Sequence, residues 1–195
     1  MENATHSELE DLELAEACID GNDRAQAELF NRYSEQMMAV CLRYGSCYEE
    51  AQDMFQDGFI KVFRKIHMYN GKGPLGAWIR RTIANNALDH LRKTKRDREN
   101  VSMFKVEYKL ESEEFDDPFA DEGVKITSDR LTELIQQMPT GYRTVFNLYL
   151  IEDYSHKEIA EQLGITESTS KTQYRKAKAY MRKLLKEEFK EALSE

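Results

Sequence analysis

Apolar residues recur at intervals of three and four along almost the whole chain, and that rhythm breaks off once, between Val101 and about Ser128. Helices with one apolar stripe must bury it against one another, so the pattern predicts helical packing on each side of the break. Only 9 glycines and 3 prolines punctuate the 195 residues, too few for a turn-rich β fold. The expected class is all-α, with two small helical domains joined by a flexible acidic linker. Each half has at most 100 residues, enough for a small independent core.

Before the break, a stripe of Leu9, Leu12, Ala15, Cys18 and Ile19 predicts an acidic first helix. Asn22-Asp23 can cap a second, striped by Leu29, Phe30, Tyr33, Met37, Val40, Cys41 and Tyr44, which Gly45 ends. A third runs from about Tyr48 to Met68, with Ala51, Phe55, Phe59, Val62, Phe63 and Ile66 on one face. After the loop at 69–73, Pro74 fits the first turn of a fourth helix carrying Leu75, Trp78, Ile79, Ile83, Ala87 and Leu91. That helix is expected to dissolve in Arg92-Lys93-Thr94-Lys95-Arg96. The run LESEEFDDPFADEG then has many acids, a proline and no stripe, as a linker does. Four shorter helices follow, near 129–138, 141–152, 155–162 and 166–190. The domain bounds are therefore 1–100, 101–128 as linker, and 129–195.

A net charge of -8 argues at first against a polyanionic partner. Taken by segment, the charge says otherwise: residues 71–100 hold eight bases against three acids, and so do residues 154–186. Residues 1–30 and 101–128 carry the compensating acids. Two separate basic blocks suit two separate contacts with a nucleic acid.

The second block has a recognisable local design. Ser155-His156-Lys157-Glu158 is a capping box, in which serine and glutamate satisfy each other's helix-start amides. Ile159, Ala160 and Leu163 face inward, Gly164 supplies the positive φ of a tight turn, and Thr166 caps the next helix. That helix should bury Tyr174, Ala177, Met181 and Leu184 or Leu185, and show Ser168, Lys171, Thr172, Arg175, Lys176 and Lys178 outward. Short polar side chains at a helix start reach base edges while lysine and arginine hold phosphates, so this is a helix-turn-helix expected to bind DNA.

In the first block, inward phenylalanines at 55, 59 and 63 would leave Asp53, Gln56, Asp57 and Ile60 outside, a mixed surface suited to docking another helical protein. Arg80, Arg81 and Arg92 can follow a nucleic-acid backbone, and Asn85 and Asn86 can pair with exposed base edges. Tyr69 beside the Gly-rich loop can stack or gate. Gly58 inside the third helix costs roughly 1 kcal/mol against alanine, and nothing in the sequence explains it.

No HExxH, GxxxxGK[ST] or GxGxxG is present, and His6, His67, His90 and His156 are scattered. Cys18, Cys41 and Cys47 are three, without a CxxC, so neither a disulfide framework nor a zinc site is expected. No apolar run reaches the ~18 residues of a membrane-spanning helix, and the acidic start lacks the layout of a signal peptide. The expectation is a cytoplasmic protein, not an enzyme, with no cofactor, metal or membrane insertion of its own.

The order Asp53-x-x-Gln56-x-x-Phe59, Ala77-Trp78-Ile79, Ile83-Ala84-x-Asn86 and Asp89-x-Leu91-Arg92 resembles region two of sigma-70-type initiation factors. The stretch LIQQMPTGYRTVFNLYLIEDYSHKEIAEQLGITESTSKTQYRKAKAYMRKLL resembles their region four. Two blocks without a third domain between them are similar to the extracytoplasmic-function (ECF) group. Gly58, Ser170 and Gln173 depart from the family's usual residues, which are larger, aliphatic and arginine respectively. The resemblance implies a transcription initiation factor that binds core RNA polymerase through Asp53, Gln56, Asp57 and Ile60. It implies −10 contacts from Tyr69, Asn70, Lys72, Arg80, Arg81, Asn85, Asp89 and Arg92, which would help to melt promoter DNA there. Contacts to the −35 duplex would come from Thr166, Ser168, Thr169, Lys171, Thr172, Arg175 and Lys176. An anti-sigma factor is a further implied partner. The competing reading is a stand-alone helix-turn-helix regulator, which accounts for 155–180 but leaves the first basic block unused.

Overall fold

The computed structural model describes residues 6–97 and 126–192, which fall in two compact units bounded at Asp97 and Arg98. Among the described residues every regular element is helical. The greater part of the expected linker lies outside them. The first unit comprises α1 (His6–Ile19), α2 (Asp23–Tyr44), α3 (Tyr48–Lys65), a 3-10 turn at Ile66–Met68, and α4 (Leu75–Asp97). The second comprises α5 (Ser128–Gln136), α6 (Thr140–Phe146), a π turn at Asn147–Ile151, α7 (His156–Leu163) and α8 (Glu167–Ala192).

In the first unit α2, α3 and α4 pack on one another, and α1 lies across α2 and α4. Asn22 caps α2 by accepting from the amides of Arg24 and Ala25 at 3.0 and 3.2 Å. The core is built from Leu29, Met37 and Tyr44 of α2, Met54 and Val62 of α3, and Leu75, Ile79, Ile83 and Leu88 of α4. A Cβ on Gly58 would sit 2.5 Å from Cδ1 of Ile83, so the glycine is what lets α3 and α4 approach this closely. Its propensity cost is offset by packing.

Two expectations need correction here. Phe55 and Phe63 are not core residues: the buried line of α3 is Ala51, Met54, Gly58, Phe59 and Val62. Phe55 and Phe63 stand half-buried beside it, because the extra aromatic bulk is accommodated at the surface against Phe30 and Phe59, with Phe30–Phe59 and Phe55–Phe59 centroids both 4.9 Å apart. Second, α4 does not dissolve at Arg92 but runs to Asp97. Lysine and arginine are good helix formers, and no glycine or proline stops them.

The second unit closes around Leu134, Ile135, Met138, Tyr142, Phe146, Ala177, Met181 and Leu185. Tyr174, expected inside, is half-buried. Arg130 of α5 bonds Glu188 of α8 through Nε to Oε1 at 2.6 Å, fixing one end of the long last helix.

Candidate functional site

The exposed stripe of α3 carries Asp53, Gln56, Asp57 and Ile60 in adjacent turns, all exposed. Gln56 and Ile60 also line an open apolar groove of about 520 Å³ with Phe30, Met38, Phe55 and Phe63. The expected polar face is thus continuous with an apolar trough, and Ile60 presents 49% of its surface there.

On α4, Arg81, Asn85 and Asp89 follow at i, i+4 and i+8, with Arg92 three residues on, so they share one side of the helix. Asp89 and Arg81 are exposed, whereas Asn85, Arg92 and Arg80 are half-buried. Asp89 accepts from Lys61 Nζ at 3.0 Å and from Arg92 Nη1 at 2.9 Å. One carboxylate therefore gathers two cations from two helices, and the cluster keeps a net positive charge. Asn86 belongs to the interior: it is 4% exposed and its Nδ2 donates to the Met54 carbonyl at 2.8 Å. The expectation that it reaches base edges is corrected by that bond.

The loop before α4 is held from within. Gly71 and Gly73 have φ of 72° and 80°, conformations that side chains beyond glycine rarely adopt. Asn70 Oδ1 accepts from the Lys72 amide at 3.2 Å, and both side chains are exposed. Tyr69, expected to stack on bases or gate, is instead 6% exposed. Its hydroxyl donates to the Gly73 carbonyl at 2.8 Å and its ring lies 6.1 Å from that of Trp78. It closes the loop rather than presenting a face to solvent, because the loop has no other large side chain to fill its inner side.

Sequence reading missed Asp11. This aspartate of α1 is 6% exposed, and its Oδ2 accepts from the backbone amide of Leu75 at 2.8 Å. Oδ1 accepts from the Tyr33 hydroxyl at 3.4 Å, with Arg32 Nη1 3.9 Å away. Asp11 lies four and seven residues before Ala15 and Cys18, on the buried line of α1, but one acid among many in an acidic helix gives no sign of the partner it meets.

In the second unit the capping box forms as expected: Ser155 Oγ accepts from the Glu158 amide at 3.2 Å, and Glu158 accepts from the Ser155 amide at 2.9 Å. Gly164 adopts φ 64°, the left-handed turn between α7 and α8. Thr166 Oγ1 accepts from the Thr169 amide at 3.0 Å, and the two hydroxyls lie 2.8 Å apart. Ser168, Lys171, Thr172 and Arg175 are exposed on neighbouring turns of α8, with Thr169 and Lys176 half-buried beside them. Lys171 pairs with Glu167 at 2.7 Å, which holds that carboxyl below its usual range.

Ser170, the departure from an aliphatic, is fully buried, and its Oγ lies 3.0 Å from His156 Nδ1. The histidine ring stacks on Tyr149 at 4.2 Å and 12°. A polar contact between α7 and α8 replaces an apolar one, and desolvation with Lys171 nearby pushes the His156 pKa below its ordinary 6.5. Gln173 is also buried, at 6% exposure, and so lies off the outward face. Burial pushes the Cys18 thiol up and that of Cys41 to about 12, while Cys47 is exposed at the start of α3. Among the described residues no group of three His, Cys, Asp or Glu side chains is placed to hold a metal, and no helix is long and apolar enough to cross a membrane.

Comparison with known proteins agrees with both halves. Residues 29–97 match Sigma-70 region 2, and residues 128–181 match Sigma-70, region 4. The ECF RNA polymerase sigma factor SigW of Bacillus subtilis is 26% identical over 179 residues, covering 86% of this chain and 92% of its own. RNA polymerase sigma-H factor of Pseudomonas aeruginosa is 25% identical over 191 residues, covering 94% and 97%. Among solved structures, the sigma factor RpoE of Bartonella quintana, in complex with the anti-sigma factor NepR, shares the fold at TM-score 0.50 and 19% identity over 82% of this chain and 96% of that one. A stand-alone regulator leaves the first matched region without a role and is not favoured. The chain belongs to the sigma-70 family of RNA polymerase sigma factors, in its ECF group.

Proposed function

We propose that the first unit docks on core RNA polymerase through Asp53, Gln56, Asp57 and Ile60 and opens the −10 element with α4 and the loop at 69–73. The second unit reads the −35 duplex through α8. The observation that carries the reading is that each unit presents one basic helix face with short polar side chains among its cations. On α4 these are Arg81, Asn85 and Arg92, and on α8 they are Ser168, Lys171, Thr172 and Arg175. Asn85 offers a donor and an acceptor to a base that has left the stack, and the arginines hold flanking phosphates. Asp89 positions Arg92 and Lys61 rather than touching phosphate, which it would repel. Tyr69, buried in the free chain, serves by holding the loop in shape. Thr166 and Thr169 set the start of α8, and Lys171, Arg175 and Lys176 divide base and phosphate contacts among them.

The domain bounds proposed are 1–100, 101–128 and 129–195, and limited proteolysis is expected to release fragments near the first and last of these. Work on polymerase places the protein in the cytoplasm, with no bond-making chemistry of its own. The apolar groove beside Gln56 and Ile60 suits an amphipathic helix, so an anti-sigma factor that covers this face would exclude polymerase. The test is reconstitution with bacterial core RNA polymerase and run-off transcription from a promoter library. Promoter-specific transcripts that depend on the added chain are expected. Tight, sequence-specific duplex binding by the free chain at physiological salt, with no effect on polymerase, would contradict the reading.

A further inference from the structure

α4 begins directly after the loop at 69–73, and the residue before it offers its first turn no side-chain acceptor. Pro74 precedes the helix, and a proline side chain accepts no hydrogen bond. Its carbonyl takes the amides of Ala77 and Trp78 at 3.1 and 3.3 Å, while the amide of Leu75, first in the helix, has no intrahelical carbonyl to reach and takes its partner from elsewhere. That partner is Asp11, 64 residues away, at 2.8 Å. A carboxylate at this position both accepts the orphan amide and complements the positive end of the helix.

Three further contacts tie the same point to α1 and α2. The Tyr33 hydroxyl donates to Asp11 at 3.4 Å. A Cβ on Gly76 would lie 2.8 Å from Cε1 of Tyr33, so that ring lies directly over the second residue of α4. A Cβ on Gly71 would lie 3.5 Å from Cδ1 of Leu12, so the neighbouring residue of α1 rests on the loop itself. Asp11 and Leu12 thus touch the end and the middle of one short loop. Tyr69 and Asn70 hold that loop from within, and Asp11 and Leu12 hold it from α1.

We infer that Asp11 is a positioning residue for promoter opening: α1, through its carboxylate, sets the geometry of the 69–74 loop and of the helix that carries Asn85. The inference rests on the proposed −10 role of that loop and helix. It assigns Asp11 no contact with DNA or polymerase. Its removal should leave docking on polymerase intact and loosen the element that captures a base.

The test uses holoenzyme reconstituted from the full chain and core polymerase. Asp11→Ala is compared with Asp11→Asn, which keeps a carbonyl oxygen for the Leu75 amide, and with Tyr33→Phe, which keeps the ring and removes the hydroxyl. Three quantities are read: affinity for core polymerase, permanganate reactivity across the −10 element, and base preference there in a randomised library. Asp11→Ala is expected to bind core as the wild type does, to lose about tenfold in opening, as loss of one charged cap implies, and to flatten the base preference. Asp11→Asn should recover most of both, and Tyr33→Phe should fall between. If Asp11→Ala does not fold, the same readouts on Tyr33→Phe decide the matter.

Unchanged opening and preference in Asp11→Ala and Tyr33→Phe would overturn the inference, as would a loss that falls equally on core binding. Asn85→Ala, measured in parallel, separates the two levels. If it impairs opening while Asp11→Ala does not, only the role of Asp11 fails. If neither impairs opening, the −10 reading itself fails and the inference with it.

Discussion

The two units hold their basic helices, α4 and α8, by opposite means. In the second, α7 and α8 are fixed from close by: Ser155 and Glu158 lie three residues apart, as do Thr166 and Thr169. In the first, α4 is fixed from far away, by Asp11 across 64 residues and by Asn86, whose bond to Met54 spans 32. A local cap forms as soon as its own turn does, whereas a tertiary cap exists only once the whole unit has packed. α8 is therefore specified by its neighbours in sequence, and α4 by its neighbours in space. Disturbing the packing of the first unit should then cost more than deleting a cap in the second.

The largest effect is expected at Gly58. Placing valine there drives its branched side chain into Ile83, which is fully buried, and should destabilise the first unit by roughly 3 kcal/mol. Trp78 is the chain's only tryptophan, so its fluorescence follows unfolding of that unit alone. An unchanged Trp78 melting transition would show that α3 and α4 can separate at no cost, and would break the comparison.

Asn86→Ala comes next. It removes a buried donor between α3 and α4, and the same fluorescence should report a loss of about 2 kcal/mol. A smaller loss is expected from Ser155→Ala, about 1 kcal/mol, because it removes a single exposed cap. Hydrogen exchange in the first turn of α7 would measure it. A loss at Ser155 larger than at Asn86 would reverse the proposed contrast between local and long-range fixation.

The smallest effect is a pH dependence at His156. Its pKa lies below the ordinary 6.5 in the folded chain, so the unfolded chain binds more protons near that pH. Stability contributed by the neutral ring is complete above 6.5 and is lost as pH falls towards the lower, folded-state value. A ring titration followed by NMR should give a midpoint under 6.5 that Ser170→Ala and Tyr149→Ala both move. A midpoint at or above 6.5 would mean that the ring is not desolvated between α7 and α8.

The same contrast explains what the sequence disclosed. The helix-turn-helix could be read residue by residue, since a capping box, a left-handed glycine and a threonine cap are all written within a few positions of where they act. The exposed stripe of Asp53, Gln56, Asp57 and Ile60 was legible from helical period alone. Period could not say that Phe55 and Phe63 stop at the surface, where Phe55 meets Phe30 of another helix and Phe63 meets Phe59 of its own. Nor could it say that Asn85 and Asn86, adjacent and chemically identical, go to opposite fates, one half-buried on the basic side and one bonded inside the core. Gly58 was visible only as a defect until Ile83 stood beside it. His156 and Ser170 form their bond across 14 residues, too far for any local pattern to announce.

The central claim is that α4 captures a melted base through Asn85. It is tested most directly by permanganate reactivity across the −10 element with holoenzyme carrying Asn85→Ala. The expected result is unaltered affinity for core polymerase and for the −35 duplex, with opening reduced by about tenfold or more, as loss of a base contact worth ~1–3 kcal/mol implies. Wild-type opening with unchanged base preference at −10 would contradict it.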